Sequence, residues 1–167
     1  TANKYSGYGN QTLIAGSNNA KIGAFTLSTG ATEGVTVNTI VFSLAAADTS
    51  TLTNLTLKDE ATGTQIGTIL TTPSTSNSFA VSLDIPVSST KTIGIYANIL
   101  SAANVGTLAA TITTSTTGTG DITGISASAA STALQTITIG SAVLTESVDT
   151  GATPNSANVV AGASSVK

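Results

Sequence analysis

Residues 35–44 read VTVNTIVFSL, and the fold class turns on them. Val35, Val37, Thr39 and Val41 form one two-residue series, and Ile40, Phe42 and Leu44 form a second in the opposite phase. A period of two marks a strand with one buried face, because successive side chains point to opposite sides of a sheet. The change of phase near Asn38 predicts a β-bulge, or a strand that passes from one sheet to another.

The same alternation recurs on both sides of this stretch. Phe79, Val81, Leu83 and Ile85 alternate with Ala80, Ser82 and Asp84; Ile93, Ile95, Ala97 and Ile99 repeat the pattern, as do Leu108, Ala110 and Ile112. Further strands are predicted at residues 22–27, 52–57, 65–70 and 134–139. Turn-rich pieces separate them at 28–30, 61–63, 72–77 and 117–120. Helix is poorly supported, because Thr, Val and Ile lose χ1 freedom in a helix and fit a pleated surface. Residues 126–133 (SASAASTA) could form one helical turn, and Ser101–Asn104 a short connector. Short strands with turns between them predict an all-β protein, an immunoglobulin-like Greek-key β-sandwich of roughly seven to ten strands.

Composition excludes many activities. The 167 residues contain no His, Cys, Met, Trp or Arg, and Thr with Ser make up about a third of the chain. Without His or Cys there is no Ser-His-Asp triad, no thiol nucleophile, no zinc finger and no common haem ligand. A net charge of -3 with five Lys offers no footprint for nucleic acid. The best apolar window, residues 39–47, is far shorter than the roughly 20 residues that span a bilayer, so no membrane insertion is expected. The absence of Met makes Thr1 the start of a processed chain or of an excised piece. No catalytic residue, cofactor or metal is expected, and the charge content of 8% suits a surface that packs against copies of itself.

The acids do not form a reaction centre. Asp59 and Glu60 adjoin Lys58 at a strand end and read as a solvated turn cluster. Asp121 follows two glycines, but calcium needs several acids at fixed spacing, and a turn is the better reading. Lys91, with Asn98 and Asp84, could in principle build an isopeptide bond; an exposed Lys guarding a strand edge is the simpler account. Asn10 and Asn54 head Asn-x-Thr sequons and are candidate glycan acceptors, and Thr111–Thr119 is a candidate for O-glycosylation.

The two ends resemble each other. Residues 11–21 read QTLIAGSNNAK and residues 157–167 read ANVVAGASSVK, so Ala15, Gly16 and Lys21 match Ala161, Gly162 and Lys167 at an offset of 146. This echo predicts that the C-terminal segment is the opening strand of another copy of the fold. The expected organisation is a tail over residues 1–10, a sandwich over 11–147, and a linker with an extended strand over 148–167. On this view the sandwich lacks an edge, which a strand from a second copy fills. Val159, Val160 and Val166, or their counterparts Leu13, Ile14 and Ile22, would be the plugging residues. A head-to-tail contact of this kind builds an open filament.

The run KIGAFTLSTGATEGVTVNTIVFSL (21–44), followed by LTNLTLKDEATGTQIGTIL and KTIGIYANIL, resembles the Ig-like repeat modules of large secreted bacterial surface proteins. The likeness covers roughly residues 11–145 and rests on packing and turn patterns. It implies an extracellular, cell-surface structural or adhesive module, and transfers no catalytic residue. Donor-strand pilus subunits are similar in logic, whereas the long apolar N-terminal helix of type IV pilins is missing. The sequence therefore predicts a subunit of a pilus-like filament whose partners are copies of itself. The alternative is an S-layer or adhesin module in a long array, with neighbouring modules as partners and loops that take sugar or protein.

Overall fold

A computed structural model describes residues 1–103 and 106–141. These residues form twelve strands and one helical turn, α1 (Ala46–Thr49). The first sheet holds β1 (Ala2–Lys4), β3 (Ala20–Ser28), β8 (Thr90–Ile99), β5 (Leu52–Asp59) and β6 (Gln65–Leu70), in that order. The second runs β11 (Ser126–Ser128), β10 (Thr117–Gly120), β4 (Val35–Ser43), β9 (Gly106–Ile112), β12 (Thr132–Gly140), β2 (Gln11–Ile14), and β7 (Ser76–Ile85) pairs with β4. The protein is an all-β sandwich of the immunoglobulin-like class that the alternation predicts.

The phase change in 35–44 is a bulge. Register with β7 slips between Val37 and Thr39, and the strand stays in one sheet. Against β10 Asn38 is the extra residue, lying between Val37 opposite Gly118 and Thr39 opposite Thr117; it is exposed and donates from Nδ2 to Thr119 Oγ1 at 2.9 Å. The slip turns Val37, Ile40 and Phe42 all toward the facing sheet, where they are buried. Phe42 stacks on Phe79 of β7, with ring centroids 5.8 Å apart, and Phe25, Ile22, Leu55, Ile93 and Ile95 fill the layer from the other sheet. Each such side chain contributes about 1.5–3 kcal/mol through the apolar area it removes from water.

Both open sides of the sandwich are closed by the chain itself. On one side β6 meets β7, and Gly67 (φ +69°) makes the approach possible: a Cβ there would lie 3.0 Å from the Ala80 carbonyl oxygen. On the other side β1 lies along β3 and approaches β12, where Thr132 Oγ1 donates to Ala2 O at 3.1 Å.

Several sequence expectations are corrected here. The stretch read as an N-terminal tail supplies β1, and Ala2 is buried. Among the described residues the edge beside β3 is occupied by the chain's own first residues. Residues 117–120, read as a turn, form β10, because the bulged β4 offers them free backbone partners. Residues 126–133 form β11 and the start of β12 where a helical turn was considered. Among the described residues the eight strands of six or more residues fall within the seven to ten expected, and four pieces of three or four residues, too short to show a period, are added to them.

Candidate functional site

Lys21, Lys58 and Glu60 gather on the outer face of the five-stranded sheet. Glu60 follows β5 and folds its carboxylate over Gly94 of β8, where no side chain obstructs it. There it accepts from Lys21 Nζ of β3 at 2.5 Å and from the Tyr96 hydroxyl of β8 at 2.9 Å. Lys21 also sits 5.0 Å from the Tyr8 ring centroid, and Lys58 lies 4.6 Å from that of Tyr96. The Tyr8 hydroxyl donates to the Lys21 carbonyl. Burial depresses the Lys21 ammonium, but the Glu60 hydrogen bond and the neighbouring charges outweigh it and hold its pKa above the ordinary value. Burial likewise raises both phenols, with Glu60 adding to the rise at Tyr96.

Asp59 is the inward neighbour of Glu60 and only 6% exposed. Burial alone would raise its pKa; the Ala61 N–H at 2.8 Å and Lys91 Nζ at 3.3 Å reverse this and lower it. The expectation of a solvated turn cluster at 58–60 is therefore corrected: both carboxylates are paired. Paired ions on a sheet face offer no free base, and among the described residues no three acids converge on a point where a metal could bind. The cluster ties β3, β5 and β8 together.

The other sequence candidates are placed as follows. Lys91, Asn98 and Asp84 are not brought together: Lys91 pairs with Asp59, Asn98 accepts from the Asn19 N–H at 2.8 Å, and Asp84 lies exposed on β7 of the other sheet. No isopeptide bond can form among them. Asp121 accepts from Thr36 Oγ1, and the loop after it is held by Glu33, whose carboxylate accepts from the Ile122 and Thr123 N–H groups and the Thr123 hydroxyl. Those donors lower the pKa of Glu33. Of the two sequons, Asn54 is exposed at a bulge of β5 with φ +54°, while the Asn10 side chain accepts from the Thr136 N–H at 3.0 Å.

Leu13 and Ile14 belong to β2, which pairs in parallel with β12, Ile14 opposite Gly140. Ile22 is fully buried in the chain's own core and is not available to a second copy. Val159, Val160 and Val166 lie outside the described residues.

The feature that sequence reasoning missed is the arrangement of the ends. Thr1 sits beside Ser28, at the pole formed by loops 29–34, 86–89 and 121–125; its ammonium donates to Ser28 O and Ser88 N donates to Gly30 O. Gly140 lies at the opposite pole, where its carbonyl accepts from Ala15 N and where Gly16 N donates to Ile99 O. From Thr132, beside Ala2, β12 climbs eight residue steps to Gly140, about 26 Å. Thr1 and Gly140 thus lie at opposite poles of the sandwich. Exposed apolar side chains stand at both: Val87, Ile122 and Ile125 at the first, Ile14 and Leu100 at the second.

No protein-family model and no curated protein sequence matches the chain. Among solved structures, the seventh ScaB type I cohesin from Pseudobacteroides cellulosolvens is similar over 83% of this chain and 93% of its own, with 10% identity and a TM-score of 0.46. A family 123 glycoside hydrolase from Clostridium perfringens is similar over 80% of this chain but only 23% of its own, with 12% identity and a TM-score of 0.37. At these scores neither assigns a role to any residue.

Proposed function

We propose that this chain is a non-catalytic module of an extracellular, cell-surface assembly, and that copies of it follow one another in a polypeptide at 146-residue spacing. The observation that carries the reading is where the terminal echo falls. Gly16 has φ +88°, a conformation that glycine adopts at no steric cost, and its counterpart is Gly162. Ala15 packs against the core and bonds Gly140, and its counterpart is Ala161. Lys21 pairs with Glu60, and its counterpart is Lys167. Leu13 is half-buried, and Val159 stands in its place. The identities coincide with positions that the junction between β2 and β3 constrains, as expected if residues 157–167 open another copy.

Two further features support it. Opposite poles for the incoming and outgoing chain suit modules strung end to end. A surface of Thr, Ser, Ala and Gly with 8% charge suits packing against neighbours outside the cell, as in an S-layer or adhesin array. Each copy then completes its sandwich with its own β1 and β2.

A pilus-like filament by strand exchange is the second reading, favoured by one observation. Among the described residues β2 pairs only with β12, over four positions, so residues 157–167 of another copy could take its place. Light scattering and negative-stain microscopy of the full chain, and of a form ending at residue 146, separate the two. The array reading expects monomers with the same melting temperature in both. Fibres from the full chain that vanish on truncation, or with Val160→Asp, would overturn it in favour of strand exchange.

A further inference from the structure

We infer that the two apolar poles form an interface between consecutive copies, in which Ile122, Ile125 and Val87 of one module pack on Ile14 and Leu100 of the module before it. This inference rests on the array reading and adds the contact that makes the array stiff.

The length of chain between the modules commits the occupant. At 146-residue spacing Ser147 is the counterpart of Thr1, so six residues, 141–146, separate the end of β12 from the next copy's first residue. Seven backbone steps reach at most about 25 Å, whatever path they take. The following copy's Thr1 must therefore lie within that distance of Gly140. Thr1 marks the pole of loops 29–34, 86–89 and 121–125, so this pole of the following copy is tethered within reach of the Ile14 and Leu100 pole of the preceding one.

The surfaces are built for contact. Ile122 is 79% and Ile125 68% exposed, a costly placement for two isoleucines in one five-residue loop. The loop is nonetheless pinned: Glu33 accepts from Ile122 N and Thr123 N, Asp121 N donates to Gly34 O, and Gly124 N donates to Gly120 O. An ordered loop presents its apolar tip with a smaller entropic penalty on docking. At the other pole Ile14 is held by β12, and Leu100 by its N–H bond to Thr51 O.

The test is a two-copy protein in which residues 1–146 precede the intact chain. The absence of cysteine lets Thr68→Cys, on the exposed β6 edge, place one spin label in each copy. The interface predicts one narrow label-to-label distance distribution. Ile125→Ser in the second copy or Leu100→Ser in the first should broaden it at least two-fold, and the two together no more than either alone. Ile125→Ser should leave the melting temperature of the single chain unchanged, since 68% of that residue is exposed, and Leu100→Ser, at 39%, should lower it only slightly and leave the chain folded. A broad distribution in the unsubstituted two-copy protein, with both copies folded, would overturn the interface and leave the array standing. A second copy that fails to fold at this spacing would overturn the array reading itself.

Discussion

Gln135 on β12 and Ala24 on β3 belong to opposite sheets, yet the amide of the first bonds both backbone groups of the second. Gln135 Oε1 accepts from Ala24 N at 2.9 Å, and Nε2 donates toward Ala24 O at 3.0 Å. Strand β1 ends at Lys4, opposite Phe25, and the Gln135 side chain takes over the next position along β3. Nε2 also faces the carbonyls of Tyr5 and Tyr8, which stitches the N-terminal segment to the seam. A bulge in β12 between Ala133 and Thr136 turns Gln135 inward beside Leu134, and the residue is fully buried.

Gln135→Leu should accordingly be severe. It keeps the volume but leaves the Ala24 N–H and the Tyr8 carbonyl without a partner, while the Ala24 and Tyr5 carbonyls keep the Tyr5 and Tyr8 N–H groups; the cost is about 1–3 kcal/mol for each group that stays dry. Chemical denaturation should show a loss of at least about 2 kcal/mol. A loss below 1 kcal/mol would mean that the seam does not depend on this amide.

Phe42→Ala removes one ring of the stacked pair at the centre of the core. The expected cost is about 3–5 kcal/mol, the usual range for a buried aromatic replaced by alanine. Ile69→Ala, on the exposed face of β6, is the control and should change stability by less than about 0.5 kcal/mol.

Acid should release the 121–125 loop before the core. The folded pKa of Glu33 is lowered, so its bonds contribute fully above the ordinary carboxylate value of about 4.3 and are lost as pH falls through the lower, folded value. The amide resonances of Ile122 and Thr123 should titrate together in that window. In Glu33→Gln they should not, and a titration that persists in this variant would remove Glu33 as the cause.

Alkali should act on the opposite sheet. The folded pKa values of Lys21, Tyr8 and Tyr96 are all raised. Their contribution is whole below the ordinary values, about 10 for Tyr and 10.4 for Lys, and is lost as pH rises through the folded ones. Stability should hold to about pH 10 and decline above it. Phenolate absorbance should show Tyr8 and Tyr96 titrating above the ordinary tyrosine value.

Much of this fold is legible in the sequence because long strands with one buried face write their period into it. The bulge at Asn38 is visible for the same reason, as a change of phase. Strand β10, TGTG, carries no such mark, and β1 and β2 are too short to alternate; each exists because a longer strand offers it unpaired backbone. Gln135 looks like any polar residue of a strand until the bulge that turns it inward is seen. The Glu60 cluster is hidden for a different reason. Its partners Lys21 and Tyr96 lie 39 and 36 residues away, and only the pairing of β3 and β5 with β8 joins them. The ends show both sides: the three matched residues of the echo are read in the sequence, whereas the opposite poles of Thr1 and Gly140 are a property of the sheets.

The claim that one polypeptide builds the whole sandwich, first strands included, is open to amide hydrogen exchange on the intact protein across a hundred-fold dilution series. Backbone amides of Ser28, Tyr5 and Ala15 should be protected to the same degree at every concentration, because their acceptors Thr1 O, Ala24 O and Gly140 O belong to the same molecule. Protection that fades on dilution would show that these strands are supplied by a second copy, and the account would be wrong.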